Sequence, residues 1–238
     1  MKHIYIIKTG STFQTMQDVF KDFEDWIIDK SAASGSRFVT VDVQKGDLLP
    51  DIELCNGIII TGSHAMVTDE EAWSQKTERW LRDAVHKEVP LLAICYGHQL
   101  LAKALGGVSD YHPNGMEIGT VDITLGNETK DDPLFCDMPK RFKAHTIHSQ
   151  TVVTLPKGAI RLASNAHDQN HAFRVGKNTW GVQFHPEFDQ GIMDAYIKEV
   201  AKSKTMEENR VAMLLENTQE TIASSSLLKR FQEIILSY

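Results

Sequence analysis

Cys95 is the residue of this sequence that is best placed for covalent chemistry. The apolar run Leu-Leu-Ala-Ile at residues 91–94 predicts a strand, and an apolar stripe from Tyr96 predicts a helix that stops at Gly106-Gly107. A nucleophile at such a strand-to-helix turn sits on a sharp elbow. The unpaired N–H groups and positive dipole end of the helix favour a thiolate and can stabilise an oxyanion. We therefore predict a nucleophilic cysteine, although most free cysteines are small buried hydrophobes.

His185 and Glu187 form a second candidate group, within Gly-Val-Gln-Phe-His-Pro-Glu at residues 181–187. Residues i and i+2 of an extended chain point to the same side, so these two side chains can be neighbours. Pro186 keeps His185 extended and prevents a central strand from continuing, which places the pair at a strand end. Together with Cys95, the sequence then offers a nucleophile, a base and a carboxylate to orient the base.

Two pairs of histidines invite a metal-site interpretation. His145 and His148 are three residues apart, and His167 and His171 are four apart, as ligands on one helix face could be. However, the neighbouring residues favour extended chain, no His-Glu-x-x-His pattern occurs, and ten histidines make chance pairs common. We therefore predict that the chain binds no metal.

Strands and helices alternate in the first half of the chain. Four strands are predicted from short apolar runs, at residues 4–7, 38–43, 57–61 and 89–94. One helix ending near residues 31–35 is predicted from apolar residues at helical spacing, namely Met16, Phe20, Phe23 and Ile27. Such alternation is typical of an α/β fold with a doubly wound, mostly parallel sheet flanked by helices, and its functional groups lie at the carboxyl ends of strands.

The second half of the chain has a different pattern. Closely spaced short strands predict an antiparallel meander added to the sheet, at residues 121–125, 151–155, 160–163, 172–175 and 179–184. Beyond Asp189 the pattern is helical, with a final apolar stripe that needs a partner surface, formed by Leu228, Phe231, Ile235 and Tyr238. We therefore expect a domain at 1–188 and a helical C-terminal extension, 189–238, packed on the same domain.

The composition is that of an ordinary globular protein, and it excludes several functional classes. Of the 238 residues, 42% are hydrophobic and 24% are charged, which suffices for a core. A net charge of −7 provides no basic face for nucleic acid. Three cysteines without Cys-x-x-Cys spacing favour reduced thiols. The apolar run at residues 4–7 is too short for a signal peptide or a spanning helix, so we expect a cytoplasmic protein without a membrane partner.

The segments around Cys95 and His185 also carry a family resemblance. Ile-Cys-Tyr-Gly-His-Gln at residues 94–99 and the 181–187 segment resemble the two signature motifs of class I (triad) glutamine amidotransferases, including the glutaminase domain of GMP synthase and stand-alone γ-glutamyl hydrolases and peptidases. The resemblance covers residues 1–188 and implies a flavodoxin-like fold. It also implies that Cys95 attacks a γ-carboxamide, His185 moves the proton to the departing ammonia, and Glu187 orients His185. Water then hydrolyses the γ-glutamyl thioester.

The same resemblance implies an oxyanion hole. Thr-Gly-Ser-His at residues 61–64 stands where many relatives have Ser-Gly-Gly-Pro, whose second glycine donates its backbone N–H to the oxyanion. By that match the hole consists of the Ser63 and Tyr96 N–H groups, with Gly62 supplying flexibility. Ser63 replaces a glycine, so its backbone must adopt a conformation that a residue with a Cβ tolerates.

Substrate-binding residues are implied by the resemblance as well. Gln99 matches a residue that contacts bound glutamine in relatives, and His148-Ser149-Gln150 resembles the segment before the last catalytic strands. The alternative is a polar helix residue facing solvent at Gln99 and a hydrogen-bonded loop histidine at His148.

The use of the released ammonia stays open at this point. The chain has neither a Gly-x-x-x-x-Gly-Lys phosphate loop nor a Ser-Gly-Gly-x-Asp motif of an ATP pyrophosphatase. It is then either a free-standing hydrolase of glutamine or a γ-glutamyl compound, or a glutaminase subunit that delivers ammonia to a separate synthetase. A catalytically silent regulator on the same fold is the third alternative, which the intact Cys95, His185 and Glu187 disfavour. No metal or organic cofactor is expected.

Overall fold

Eleven strands and seven helices make up the described part of the computed structural model, which covers residues 3–31, 38–204 and 206–237. Residues 32–35, where a helix was predicted to end, and Tyr238 lie outside these ranges. The strands are β1 (His3–Lys8), β2 (Phe38–Asp42), β3 (Cys55–Ile60), β4 (Leu91–Ile94), β5 (Val108–Tyr111), β6 (Glu117–Leu125), β7 (Arg141–His148), β8 (Gln150–Thr154), β9 (Ile160–Ser164), β10 (Ala172–Val175) and β11 (Thr179–Val182). The helices are α1 (Gln14–Phe20), α2 (Phe23–Ser31), α3 (Ala72–His86), α4 (Tyr96–Ala104), α5 (Gln190–Lys204), α6 (Glu208–Glu216) and α7 (Ile222–Leu236).

Nine of these strands form one sheet in the order β2-β1-β3-β4-β11-β10-β9-β6-β7. Neighbours from β2 to β11 pair in parallel, and neighbours from β11 to β7 pair antiparallel. Hydrophobic clusters lie on both faces of the sheet, under α2 and α7 on one side and under α3 and α4 on the other. The prediction of a mostly parallel sheet flanked by helices, with an antiparallel addition, is confirmed.

The antiparallel part differs in detail from the predicted meander. The strand predicted at residues 151–155 is β8, which leaves the main sheet and pairs with β5 in a separate two-stranded sheet. The strand predicted at residues 179–184 is β11, which pairs in parallel with β4 and so belongs to the parallel half. The sequence analysis assigned no strand at β7, which closes the sheet beside β6. The strands β8 and β11 were predicted, but their place in the meander was wrong because partner choice depends on contacts far apart in the chain, and β7 was missed.

The stripe predicted as one helix forms two helices, α1 and α2. Lys21 between them has a φ of +70°, which lies outside the helical region. Next to it, the Asp22 carboxylate accepts the backbone N–H groups of Thr12 and Phe23, each at 2.9 Å, and forms a 2.8 Å ion pair with Lys8. These long-range contacts of Asp22 fix the break, so the prediction of one continuous helix was wrong.

Helices α5 to α7 form the predicted helical extension, and α7 finds its partner surface on the sheet. Leu228, Phe231 and Ile235 are buried, and the Phe231 ring meets the Trp180 ring edge-on at 6.1 Å. A Cβ on Gly57 of β3 would lie 2.3 Å from Ile235, so this glycine lets α7 approach closely. The division at residue 189 stays a prediction. Within the described ranges, no helix combines the length and the apolar character needed to cross a bilayer.

Candidate active site

Cys95 lies on a strained turn between β4 and α4. Its φ of +51° and ψ of −101° are unusual for a residue with a side chain, and its N–H donates to Val182 O of the neighbouring strand at 2.8 Å. Two residues later, a Cβ on Gly97 would lie 2.9 Å from Ile60 Cβ, so α4 starts in close contact with β3. The sequence pattern of strand, elbow and helix therefore predicts the local geometry of the cysteine correctly.

His185 and Glu187 come together with Cys95 at the carboxyl ends of β4 and β11. In the register of these parallel strands Ile94 is level with Val182, so both strands deliver their following residues to one edge of the sheet. His185 Nδ1 and Glu187 Oε1 are 2.7 Å apart, and the Cys95 side chain, whose Sγ lies 3.6 Å from Ile147 O, is near enough to the His185 ring to act on its pKa. His185 is 2% exposed and Glu187 is fully buried. The arrangement places a thiol, an imidazole and a carboxylate in series.

The charge state of His185 follows from opposing effects. Burial acts most strongly and lowers its pKa, but the negative charge of Glu187, that of Cys95 and the hydrogen bonds to both outweigh it and raise the pKa to about 10. At neutral pH the ring is therefore an imidazolium, with the Glu187 carboxyl group on one side and the Cys95 side chain on the other. Such a pair activates a cysteine as a nucleophile and holds a proton ready for a leaving group.

Aromatic rings pack around the imidazole. Phe188 stacks on His185 with ring centroids 4.2 Å apart, and Phe23 lies parallel to it at 6.3 Å. The backbone N–H of His185 donates to His145 O at 2.8 Å, which connects the 181–187 segment to β7. Packing and backbone pairing therefore hold the ring in one orientation beside Cys95.

The three residues predicted for the oxyanion hole lie around Cys95. A Cβ on Gly62 would lie 3.0 Å from His185 Cε1 and 3.7 Å from Cys95 Cβ, so a glycine lets this backbone approach both. Ser63 has a negative φ, and its Oγ accepts the Ala65 N–H at 3.1 Å, so its conformation does not require glycine. Among described residues, the Ser63 and Tyr96 N–H groups donate to no protein acceptor. Both amides are available to a ligand.

Nearly all of these groups line one cavity of about 260 Å³. Its described lining residues include Cys95, His185, Ser63 and Tyr96, whereas Glu187 stands behind His185. The predicted substrate-binding residues all line it too, namely Gln99, His148, Ser149 and Gln150. Further lining residues are Phe13, Phe23, His64, Ala65, Met66, Met116, Ile147, Tyr196, Val200 and Ser203.

Three of those four predicted residues use their side chains within the protein, and Gln99 and Gln150 are two of them. Gln99 is only 4% exposed and donates from Nε2 to Gln150 O at 2.7 Å and to Gln183 Oε1 at 3.0 Å, so the alternative of a solvent-facing Gln99 was wrong. Gln150 Oε1 accepts a hydrogen bond from the Val67 N–H at 2.9 Å, and Gln150 Nε2 donates one to Thr68 Oγ1 at 2.6 Å. These two amides thus shape the cavity wall.

His148 belongs to a buried polar cluster beside the cavity. Its Nε2 lies 3.0 Å from Glu117 Oε2, which is also 3.0 Å from His171 Nε2, and its Nδ1 lies 2.8 Å from Gln150 O. Burial raises the pKa of Glu117, but the hydrogen bonds and charges of the two histidines overcome this and hold it well below its usual range. Asn165 donates to Glu117 Oε1 at 2.7 Å. The cluster holds the β7–β8 turn in place.

The same cluster is the place where a metal ion would find ligands. The nearest ligand atoms of Glu117, His148 and His171 lie within 4.8 Å of one another. It takes one histidine from each of the two pairs noted in the sequence, although neither pair lies on a helix. Hydrogen bonds already link the three side chains, and the prediction that the chain binds no metal stays a prediction.

Several lining residues were missed by sequence reasoning. Phe13 follows β1, and His64 follows the Thr-Gly-Ser segment, so both could have been found as neighbours of strand ends. Tyr196 and Val200 are one turn apart on α5, in the extension, where no motif indicates a site. Only the packing of α5 against the loop after β1 brings them to the cavity.

Comparison with known proteins gives one family and several similar chains. The model of the family "Glutamine amidotransferase class-I" matches residues 15–227. A GMP synthase of Thermosipho africanus is 33% identical over 159 residues, which are 64% of this chain but 28% of the relative, so the chain spans about a quarter of such synthases. Gamma-glutamyl peptidase 3 of Arabidopsis thaliana is 26% identical, covering 75% of this chain and 72% of the relative. The crystal structure of a glutamine amidotransferase from Thermotoga maritima superimposes on this chain over the full length of both, with a TM-score of 0.78 and 23% sequence identity.

Proposed function

The chain belongs to the glutamine amidotransferase class-I family, and on this basis we propose that it hydrolyses the γ-amide of glutamine or of a γ-glutamyl compound through a thioester on Cys95. One observation carries the proposal: His185 contacts both Cys95 and Glu187, and these contacts raise its pKa to about 10. A cysteine beside an imidazolium on a strained elbow is suited to acyl transfer.

In the proposed acylation step the Cys95 thiolate attacks the γ-carbonyl carbon, and a C–S bond forms. The oxyanion that develops accepts hydrogen bonds from the Ser63 and Tyr96 N–H groups, which are available in the cavity. As the C–N bond breaks, His185 gives its proton to the departing nitrogen, which leaves as ammonia or an amine.

In the proposed deacylation step His185 is neutral and takes a proton from water. As this proton is removed, the water oxygen attacks the thioester carbonyl carbon. The C–S bond then breaks, and free glutamate and the Cys95 thiolate are formed. Glu187 stabilises the imidazolium in both steps and fixes its orientation through the 2.7 Å contact. The chemistry uses protein groups and water, so no cofactor is part of the proposal.

A glutaminase subunit that supplies ammonia to a separate synthetase is the second candidate function. The similarity to GMP synthases, which covers 64% of this chain in one relative and 58% in another, supports it. The match to a peptidase of similar length favours the self-sufficient hydrolase. The third alternative, a silent regulator, would not need the Cys95–His185–Glu187 contacts.

A reducing, cytoplasmic location is part of the proposal. All three cysteines are free thiols, Cys55 and Cys95 buried and Cys136 exposed. A thiolate nucleophile requires a reduced cysteine, which such a compartment maintains.

The test compares wild type with Cys95→Ala, and with Cys136→Ala as the matched control at an exposed thiol. Release of glutamate, with ammonia from glutamine and with the free amino compound from γ-glutamyl peptides, should fall at least about 1,000-fold in Cys95→Ala and be retained in Cys136→Ala. An electrophilic glutamine analogue, 6-diazo-5-oxo-L-norleucine, should label Cys95 in intact-mass analysis.

The outcomes separate the candidate functions. Turnover by the isolated chain supports the hydrolase, and labelling of Cys95 without turnover supports the subunit awaiting a synthetase. Ammonia release from folded Cys95→Ala at the wild-type rate would contradict the proposed mechanism.

A further inference from the structure

A series of aromatic side chains leads from His185 to the lining of the cavity. Beyond Phe188, which stacks on His185, the Tyr196 ring follows at 4.9 Å, and Phe13 lies 5.5 Å from Tyr196. The His64 ring completes the wall, 4.4 Å from Phe13 and 6.1 Å from Tyr196. Phe13, His64 and Tyr196 line the cavity, and we call these three residues the aromatic wall.

The polar atoms of the aromatic wall are either engaged or uncharged. Thr12 Oγ1 donates to the Tyr196 hydroxyl at 2.7 Å. The Tyr196 hydroxyl is therefore hydrogen-bonded within the protein, and Tyr196 contributes its ring to the cavity. His64 is exposed to solvent on one side, and desolvation by its neighbours, followed by the charge of His185, lowers its pKa. His64 is therefore neutral at neutral pH. No described residue lining the cavity is Asp, Glu, Lys or Arg.

The polar part of the cavity comes from other elements. Gln99 belongs to α4, Ser149 lies between β7 and β8, and Gln150 begins β8, whereas the aromatic wall comes from the loops after β1 and β3 and from α5. Two chemically different walls therefore meet at Cys95. A substrate with one polar and one apolar part matches such a cavity.

The proposed mechanism determines which part of the substrate meets which wall. His185 gives its proton to the nitrogen that leaves, so the leaving group must lie on the side of His185, whose ring is connected through Phe188 to Tyr196 of the aromatic wall. Resting on the proposed function, we infer that the aromatic wall is a subsite for the leaving amine, and that the substrate class is γ-glutamyl amides of apolar or aromatic amines. Glutamine, whose leaving group is ammonia, leaves this subsite empty.

The experiment measures kcat/KM for a series of γ-glutamyl amides of increasing apolar size, namely glutamine and the methyl-, ethyl-, propyl- and benzylamides. Each methylene that becomes buried should raise kcat/KM about fourfold, because its transfer from water contributes about 0.8 kcal/mol. The γ-glutamyl amide of ethanolamine, close in size to the propylamide but polar, should fall well below it.

Phe13→Ala tests the subsite directly. We expect it to lower the ratio of kcat/KM for the benzylamide to kcat/KM for glutamine about tenfold or more, because the ring that packs on the amine is lost. Phe13→Leu should restore part of the ratio. Val19→Ala, at a 71% exposed position of α1, is the control and should leave the ratio unchanged. A ratio within one variant does not depend on how much of that protein folds.

Three results overturn the inference, and one of them also overturns the proposed function. Equal kcat/KM across the series would mean that the protein is a γ-amidase but has no apolar subsite for the leaving amine. Cleavage of none of the amides, with Cys95 still labelled by 6-diazo-5-oxo-L-norleucine, refutes the subsite but keeps the cysteine chemistry. The absence of both cleavage and labelling refutes the proposed function itself.

Discussion

At His185, burial and charge act in opposite directions. A neutral, buried imidazole could not protonate a leaving amine, and desolvation alone would produce that state. The Glu187 carboxylate is fully buried, and its Oε2 has no hydrogen-bond partner among the described residues, so its charge is compensated chiefly through the His185 contact. The carboxylate therefore stabilises the charged form of the imidazole.

Glu187→Gln should move the alkaline limb of activity toward neutral pH. In wild type the imidazolium loses its proton near pH 10, so kcat/KM for a γ-glutamyl amide should fall only above that value. Because the carboxylate raises the pKa of His185, its removal lowers that pKa, and we expect the limb to shift down by about 1 to 3 pH units. The measurement is the pH profile of kcat/KM.

The matched control for this change is Glu216→Gln, at an exposed position of α6. Its pH profile should superimpose on that of wild type. An unshifted alkaline limb in folded Glu187→Gln would show that Glu187 does not set the charge state of His185.

At the level of elements, the position of α4 against β3 determines where the Cys95 elbow and the Tyr96 N–H lie. Gly97 is the second residue of α4, and its missing side chain leaves room for Ile60 Cβ and Ile60 O. The register of β4 and β11 then places His185 beside the same elbow. The site is therefore built by two strand ends and one helix start.

Gly97→Ala should destabilise the protein by about 1 to 3 kcal/mol and reduce activity, although alanine favours helix. The added Cβ would lie 2.9 Å from Ile60 Cβ and 3.0 Å from Ile60 O, so α4 must shift away from β3. Urea unfolding and kcat/KM measure the two effects.

Gly191→Ala is a close control, because Gly191 is the second residue of α5 and a Cβ there meets nothing nearer than 3.5 Å. We expect it to stabilise the protein slightly, by up to about 1 kcal/mol. If both variants had the same stability, close packing at Gly97 would not be the reason for glycine there.

At the scale of the whole molecule, the C-terminal helices take part in both the core and the cavity. Tyr196 and Val200 of α5 line the cavity, and Phe231 of α7 is fully buried against the sheet. Helix α7 also packs beside α2, which carries Phe23 under His185. This packing predicts that the extension unfolds together with the sheet.

Phe231→Ala should lower the free energy of unfolding by about 3 to 5 kcal/mol in a single transition. The loss of a fully buried ring leaves a cavity beside Trp180. Urea unfolding followed by tryptophan fluorescence and by circular dichroism should give coincident curves. Leu236→Ala, at a 60% exposed position of α7, should change stability by about 0.5 kcal/mol or less. Separate transitions would instead indicate that the extension is an independent unit.

Local pattern predicted much of the fold and of the site. The runs that became β1 to β4 and the elbow at Cys95 are recognisable because side-chain period and turn chemistry are properties of neighbouring residues. His185 and Glu187 were predicted to be neighbours from their spacing alone, and the structure brings them to 2.7 Å. The break at Lys21 was not predictable in this way, because Asp22 is held by Lys8 from another element.

The sequence by itself determined the candidate reactive groups, the alternation of strands and helices, and the family, since each of these is a property of residue types and their spacing. Only the tertiary structure decided that β8 leaves the main sheet, that Gln99 and Gln150 bond to the protein, and that Tyr196 reaches the cavity. These features depend on which surfaces pack together over long separations in the chain. No local period records that choice, because it follows from competition among all the apolar faces of the folded protein.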